Sequence, residues 1–218
     1  MKLKEKIKIP KYTLGEELLS SISHGIGALL SIAALVLCIV FSVLHNNVYA
    51  VVSSAIYGST SIILYTMSTL YHSFKVNNAK RVFRIIDHCS IFLLIAGTYT
   101  PYALISLPKP LGWVIFSVEW VCCIIGIILN SINLERYKKF SIILYLIMGW
   151  MIIFSFDKLI SSISIGGIYL MIIAGILYTV GAIFYGIGKK IKYMHGLFHI
   201  FVLFASVCFF FSIFFYVI

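Results

Sequence analysis

Charged side chains are scarce: Asp, Glu, Lys and Arg make up 11% of the 218 residues, only seven of them acidic, against 61% hydrophobic residues. A soluble domain carries about 25% charged residues, so a water-facing surface cannot be built from this chain, and the mean hydropathy of +1.06 agrees. No long polar interval separates the apolar runs after residue 25. Nothing therefore marks a domain boundary, and residues 1–218 read as a single transmembrane domain with a cytoplasmic tail over 1–23. CxxC spacing is also missing. The five cysteines (Cys38, Cys89, Cys122, Cys123, Cys208) all lie inside apolar runs, where a thiol serves as a small packing group. No stretch of the chain presents a continuous basic face, so the net charge of +10 does not indicate a nucleic-acid binder.

What is present is a series of apolar runs. A hydrocarbon core about 30 Å thick needs roughly 20 apolar residues as a helix, because backbone groups in lipid must be satisfied within their own segment. Seven runs qualify, at about 25–45, 48–72, 86–107, 111–130, 140–156, 163–187 and 196–218. The first is too long for the apolar core of a signal peptide and has no small-residue cleavage site after it, so it is expected to stay as a helix. The predicted fold is all-α, a seven-helix transmembrane bundle.

Lys and Arg concentrate in short loops that remain in the cytoplasm, and here they alternate sharply. Lys2, Lys4, Lys6, Lys8 and Lys11 precede the first run; Lys75, Lys80, Arg81 and Arg84 follow the second. Arg136, Lys138 and Lys139 follow the fourth, and Lys189, Lys190 and Lys192 follow the sixth, leaving only Lys109 and Lys158 for the opposite side. The pattern predicts a cytoplasmic amino terminus and a carboxyl terminus outside, in a plasma membrane. G-protein-coupled receptors run the other way. A retinal protein needs a Schiff-base lysine in its seventh helix, and Tyr193 to Ile218 contains no Lys. No inverted repeat of the transporter kind is evident, and Gly175, Gly181 and Gly186 read as close-packing positions.

An ionisable group inside a span costs about 2.5–3.5 kcal/mol on insertion scales, so each needs a partner or a purpose. The residues concerned are His24, His72, Asp87, His88, Glu119, His195 and His199, with Ser68 as a polar neighbour. His72 follows Ser68 by four residues and shares its helix face. His195 and His199 have the same spacing, which lets two imidazoles reach one metal ion. In the predicted topology His72, Asp87, His195 and His199 all arrive at the cytoplasmic end of the bundle. Three imidazoles with an open position form the pattern of a tetrahedral zinc site, although copper and iron accept the same ligands. In a catalytic site Asp87 would accept a proton from water or orient it, and Ser68 would donate a hydrogen bond to a forming oxyanion. A structural metal pinning the second, third and seventh helices is the alternative. His24 is expected to bond to Glu16 or Glu17 or to help close the site, with a fourth metal ligand as the lesser alternative. His88 points about 100° away from Asp87. Glu119 would be neutral, paired to a hydroxyl, or part of a polar lumen.

Taken together, several motifs resemble the haemolysin III proteins, the bacterial branch of the progestin and adipoQ receptor family. They are Glu16-Glu17 with Ser23-His24-Gly25, Ser68-x-x-x-His72, Asp87-His88 leading to Ile91–Pro101, Tyr178–Tyr185, and His195-x-x-x-His199-x-Phe-Val-Leu203. The resemblance covers nearly the whole chain. It implies seven helices and a zinc ion near the cytoplasmic leaflet, held by His72, His195 and His199, with Asp87 associated through water. It further implies hydrolysis of a lipid amide of the ceramidase kind and, for bacterial members, haemolysis and membrane homeostasis. Ser20 stands where relatives commonly have Asn, and Phe209 where many bacterial relatives carry another His. The expected function is that of a zinc-dependent hydrolase acting on a membrane lipid amide or ester. A non-enzymatic homeostasis protein or sensor with a structural zinc is the second reading. A pore is the third, with no charged ring suited to conduction.

Overall fold

A computed structural model describes residues 7–188 and 190–218. Lys2, Lys4, Lys6 and Lys189 of the basic clusters lie outside the described residues. The secondary structure of the described residues is helical throughout. It comprises α1 (Leu14–Leu44), α2 (Val48–Ser73), α3 (Asn78–Pro101), α4 (Lys109–Trp150), α5 (Phe156–Ile160), α6 (Ile165–Ile187) and α7 (Met194–Tyr216). Among the described residues, six helical stretches are long and apolar enough to cross a membrane, the longest being Lys109–Ile160.

The starts of the helices follow from local chemistry. The Thr13 hydroxyl accepts from the Glu16 N–H and the Glu16 carboxylate accepts from the Thr13 N–H, a reciprocal cap that starts α1 well inside the stretch expected as a tail. Asn47 and Asn77 cap α2 and α3 by accepting from Ala50 N and Lys80 N. Pro101 has no N–H to return to the preceding turn, and beyond it the ladder widens into a π-helical turn, Tyr102–Ser106.

The fourth long stretch is not one straight rod. Its 52 residues would extend about 78 Å as a continuous helix, more than twice the apolar thickness of a bilayer. The chain leaves helical geometry at Asn133 (φ −159°, ψ 92°), and the Asn133 side chain accepts from the Arg136 N–H at 3.0 Å. Asn133 thus caps a second helical arm. Across the break, the Ser141 hydroxyl donates to Asn130 Oδ1 at 2.7 Å, and Leu144 and Met148 share a core with Phe92 and Cys123. The two arms double back on each other.

Large apolar side chains such as Leu29, Val121, Ile128 and Phe154 face outward, as expected for lipid contact. Inside, small residues allow close approach: a Cβ on Gly97 would stand 1.9 Å from Thr60 Oγ1, and one on Gly126 2.3 Å from the Phe92 ring. Gly181 likewise faces Phe201, whereas a Cβ on Gly186 would meet nothing within 4 Å, so Gly186 is not the close-packing position expected of it. Hydroxyls tie α2, α6 and α7 together, Tyr65 and Tyr178 both meeting Ser206 at 2.6 and 2.7 Å. Glu119 is fully buried and, among the described residues, neither of its oxygens has a hydrogen-bond partner, so of the three alternatives expected for it the pairing to a hydroxyl does not form.

Candidate metal centre

The end of α2 supplies Ser68 and His72, and the first turns of α7 supply His195 and His199, all of them buried. The start of α7 is held by an unusual device. Tyr193 adopts a left-handed conformation (φ 65°) as the residue before the helix, which a non-glycine residue tolerates only at some energetic cost. Its N–H donates to Glu16 Oε1 at 2.8 Å. The carboxylate that caps α1 therefore also anchors the helix carrying the histidine pair.

His72, His195 and His199 form one group, each offering a ring nitrogen, with these atoms all within 4.8 Å of one another. The Nε2 atoms of His195 and His199 are 3.1 Å apart, a distance at which they either share a proton or direct two lone pairs at a common cation. His72 Nε2 and His195 Nδ1 are buried with no hydrogen-bond partner among the described residues. Buried polar atoms of this kind are costly and uncommon, and a cation held by the imidazoles would satisfy the His72 lone pair. The donor set fits a metal ion.

A second layer surrounds the three rings. Glu17 Oε2 accepts from His72 Nδ1 at 2.6 Å. His24 is not bonded to a glutamate as expected: its Nε2 lies 2.9 Å from His199 Nδ1. The Tyr12 ring stacks on His195 with centroids 4.5 Å apart and planes 9° from parallel, and burial raises the Tyr12 phenol above its ordinary range. Glu17 and His24 are seven residues apart, two helical turns, so they share the face of α1 turned to the cluster. That spacing is the signal that would have found Glu17; Tyr12 precedes the helix and has no such signal.

Asp87 is not a member of the three-residue group. It lines the same cavity as His24, His195 and His199, and its Oδ2 is 3.6 Å from His88 Nδ1. Ser68 neighbours Asp87 closely enough to interact with it, but its hydroxyl makes no hydrogen bond of normal geometry. His88 lines the same cavity and meets the Arg84 carbonyl and the Tyr185 hydroxyl through its two ring nitrogens. The cavity, of about 140 Å³, extends from the histidines past Tyr145 and Tyr178 to Trp150 and Phe209 and is almost wholly apolar. Phe209 stacks on Tyr178, with ring centroids 5.8 Å apart.

The family model described as Haemolysin-III related matches residues 12–210, a span that includes every residue of this centre. The chain belongs to the haemolysin III family. It is 43% identical to Hemolysin-3 of Bacillus cereus over 203 residues, covering 93% of this chain and 92% of that protein. Against the Hemolysin-3 homolog of Bacillus subtilis (strain 168) identity is 42% over 205 residues, covering 94% and 96%. Monocyte to macrophage differentiation factor of Homo sapiens is 26% identical over 176 residues, 78% of this chain and 72% of that one; this likeness supports the relation to the progestin and adipoQ receptor family. No solved structure matches the chain.

Proposed function

We propose that this haemolysin III family membrane protein is a zinc-dependent hydrolase of a membrane lipid amide or ester. The observation that carries the reading is the joining of three buried imidazoles to an apolar cavity that also receives the Asp87 carboxylate. His72, His195 and His199 would hold the ion. Bound zinc supplies Lewis acidity, lowering the pKa of water and polarising a carbonyl oxygen.

The protein's own groups account for the remaining work. Asp87 accepts the proton of the water that adds to the carbonyl carbon and delivers it to the departing amine or alcohol as the C–N or C–O bond breaks. The Ser68 hydroxyl, a neighbour of Asp87, donates to the oxyanion. The cavity wall formed by residues such as Ile95, Leu146 and Val202 takes up the acyl chain and excludes bulk water. A lipid suits this wall, since apolar walls with a few convergent polar groups are the usual form of a small-molecule site.

We read residues 1–218 as one domain and each arm on either side of Asn133 as a span. This gives seven helices with the amino terminus in the cytoplasm, the carboxyl terminus outside and the metal centre near the cytoplasmic face of the plasma membrane. The basic clusters support that orientation.

Purified protein should contain about one zinc per chain. His195→Ala should abolish both the metal and lipid turnover. Undiminished turnover in metal-free protein would reject the reading. A structural ion is the second reading, favoured by the way the imidazoles join α2 to α7; the Asp87 variant below separates the two.

A further inference from the structure

The half-buried ion pair beside the histidines has no part in the chemistry above. Glu17 presents one oxygen to His72 and the other to Lys80: Oε2 is 2.6 Å from His72 Nδ1 and Oε1 is 2.6 Å from Lys80 Nζ. Lys80 is 2% exposed. Its ammonium also donates to the Phe74 carbonyl at 3.0 Å, just past the end of α2, and stands 5.2 Å above the Tyr71 ring. One chain of contacts thus runs from the first turn of α3, through α1, to the imidazole at the end of α2.

With Oε1 accepting from the Lys80 ammonium, Oε2 stands as the acceptor of the 2.6 Å contact and His72 Nδ1 as its donor. The lone pair is then confined to Nε2, the ring atom left without a partner. We propose that Glu17 is a positioning residue that sets metal affinity by fixing the tautomer and orientation of His72, and that Lys80 acts through Glu17 by holding its carboxylate in place. Carboxylate–histidine pairs elsewhere raise ligand basicity in the same way. The relay rests on the metal-centre reading but not on hydrolysis.

A merely structural ion pair between α1 and α3 would affect stability alone. The distinguishing measurement is therefore zinc affinity of the full-length, detergent-purified protein, by competition with a chromophoric chelator. Absorption spectra of the cobalt-loaded form and thermal unfolding of the metal-free form accompany it. Glu17→Gln is expected to weaken zinc binding by about 10- to 100-fold and to shift the cobalt bands. Lys80→Met should weaken it by about tenfold at most, and the double variant should bind no more weakly than Glu17→Gln alone, because Lys80 acts through Glu17. Glu135→Gln breaks a different ion pair, with Arg84, and should leave zinc affinity unchanged. Affinity of Glu17→Gln within about twofold of the parent chain overturns the relay, as does an equal loss in Glu135→Gln. Should Glu17→Gln not fold, an unchanged affinity in Lys80→Met overturns it instead. A parent chain that binds no zinc removes the metal centre as well, whereas zinc binding untouched by these substitutions removes only the relay.

Discussion

The Ser141 hydroxyl donates to Asn130 Oδ1 at 2.7 Å, although a continuous helix would separate residues eleven apart by about 16 Å. The bond forms because Asn133 breaks the helix and caps the arm that follows. If both arms cross the bilayer, Lys139 and Ser161 lie on opposite sides. Alkaline phosphatase fused after Ser161 or Ile218 should be active outside the cytoplasm, and a fusion after Lys139 should be inactive. Activity after both Lys139 and Ser161 would sink the seven-span reading.

Asp87 lines the cavity without joining the three-histidine group, so metal binding and proton transfer are separable. Asp87→Asn should retain about one zinc while lipid turnover falls by roughly 10²- to 10⁴-fold. Elemental analysis and lipid mass spectrometry on the same preparation test this. Zinc retained with full rescue of a membrane-fluidity defect would favour a structural ion.

Ala182 forms part of the apolar wall. Replacing it by Phe adds bulk to the cavity without removing a metal ligand. Zinc content should be unchanged, and turnover should fall further for long acyl chains than for short ones. Equal loss across chain lengths would place the acyl group elsewhere.

Gly97 faces Thr60 so closely that any Cβ collides with Oγ1. Gly97→Val should separate α3 from α2 and destabilise the bundle by about 1–3 kcal/mol or more, read as a lower unfolding temperature in detergent. Gly97→Val combined with Thr60→Ala should recover part of the loss, because the colliding hydroxyl is gone.

Local properties of the sequence determined much of this protein. Apolar run length sets which segments can cross a bilayer, basic clusters predict their direction, and i, i+4 spacing places Ser68 with His72 and His195 with His199 on common helix faces. Each is a matter of neighbours within a few turns, which a helix's regular period makes readable. Only tertiary structure decided that His24 meets His199, that Glu17 meets His72, and that Asn130 meets Ser141. The first two pairs depend on how far each helix is rotated about its axis and the third on the break at Asn133; that rotation is chosen by distant contacts such as Gly97 against Thr60 and Gly126 against Phe92, which no local period encodes.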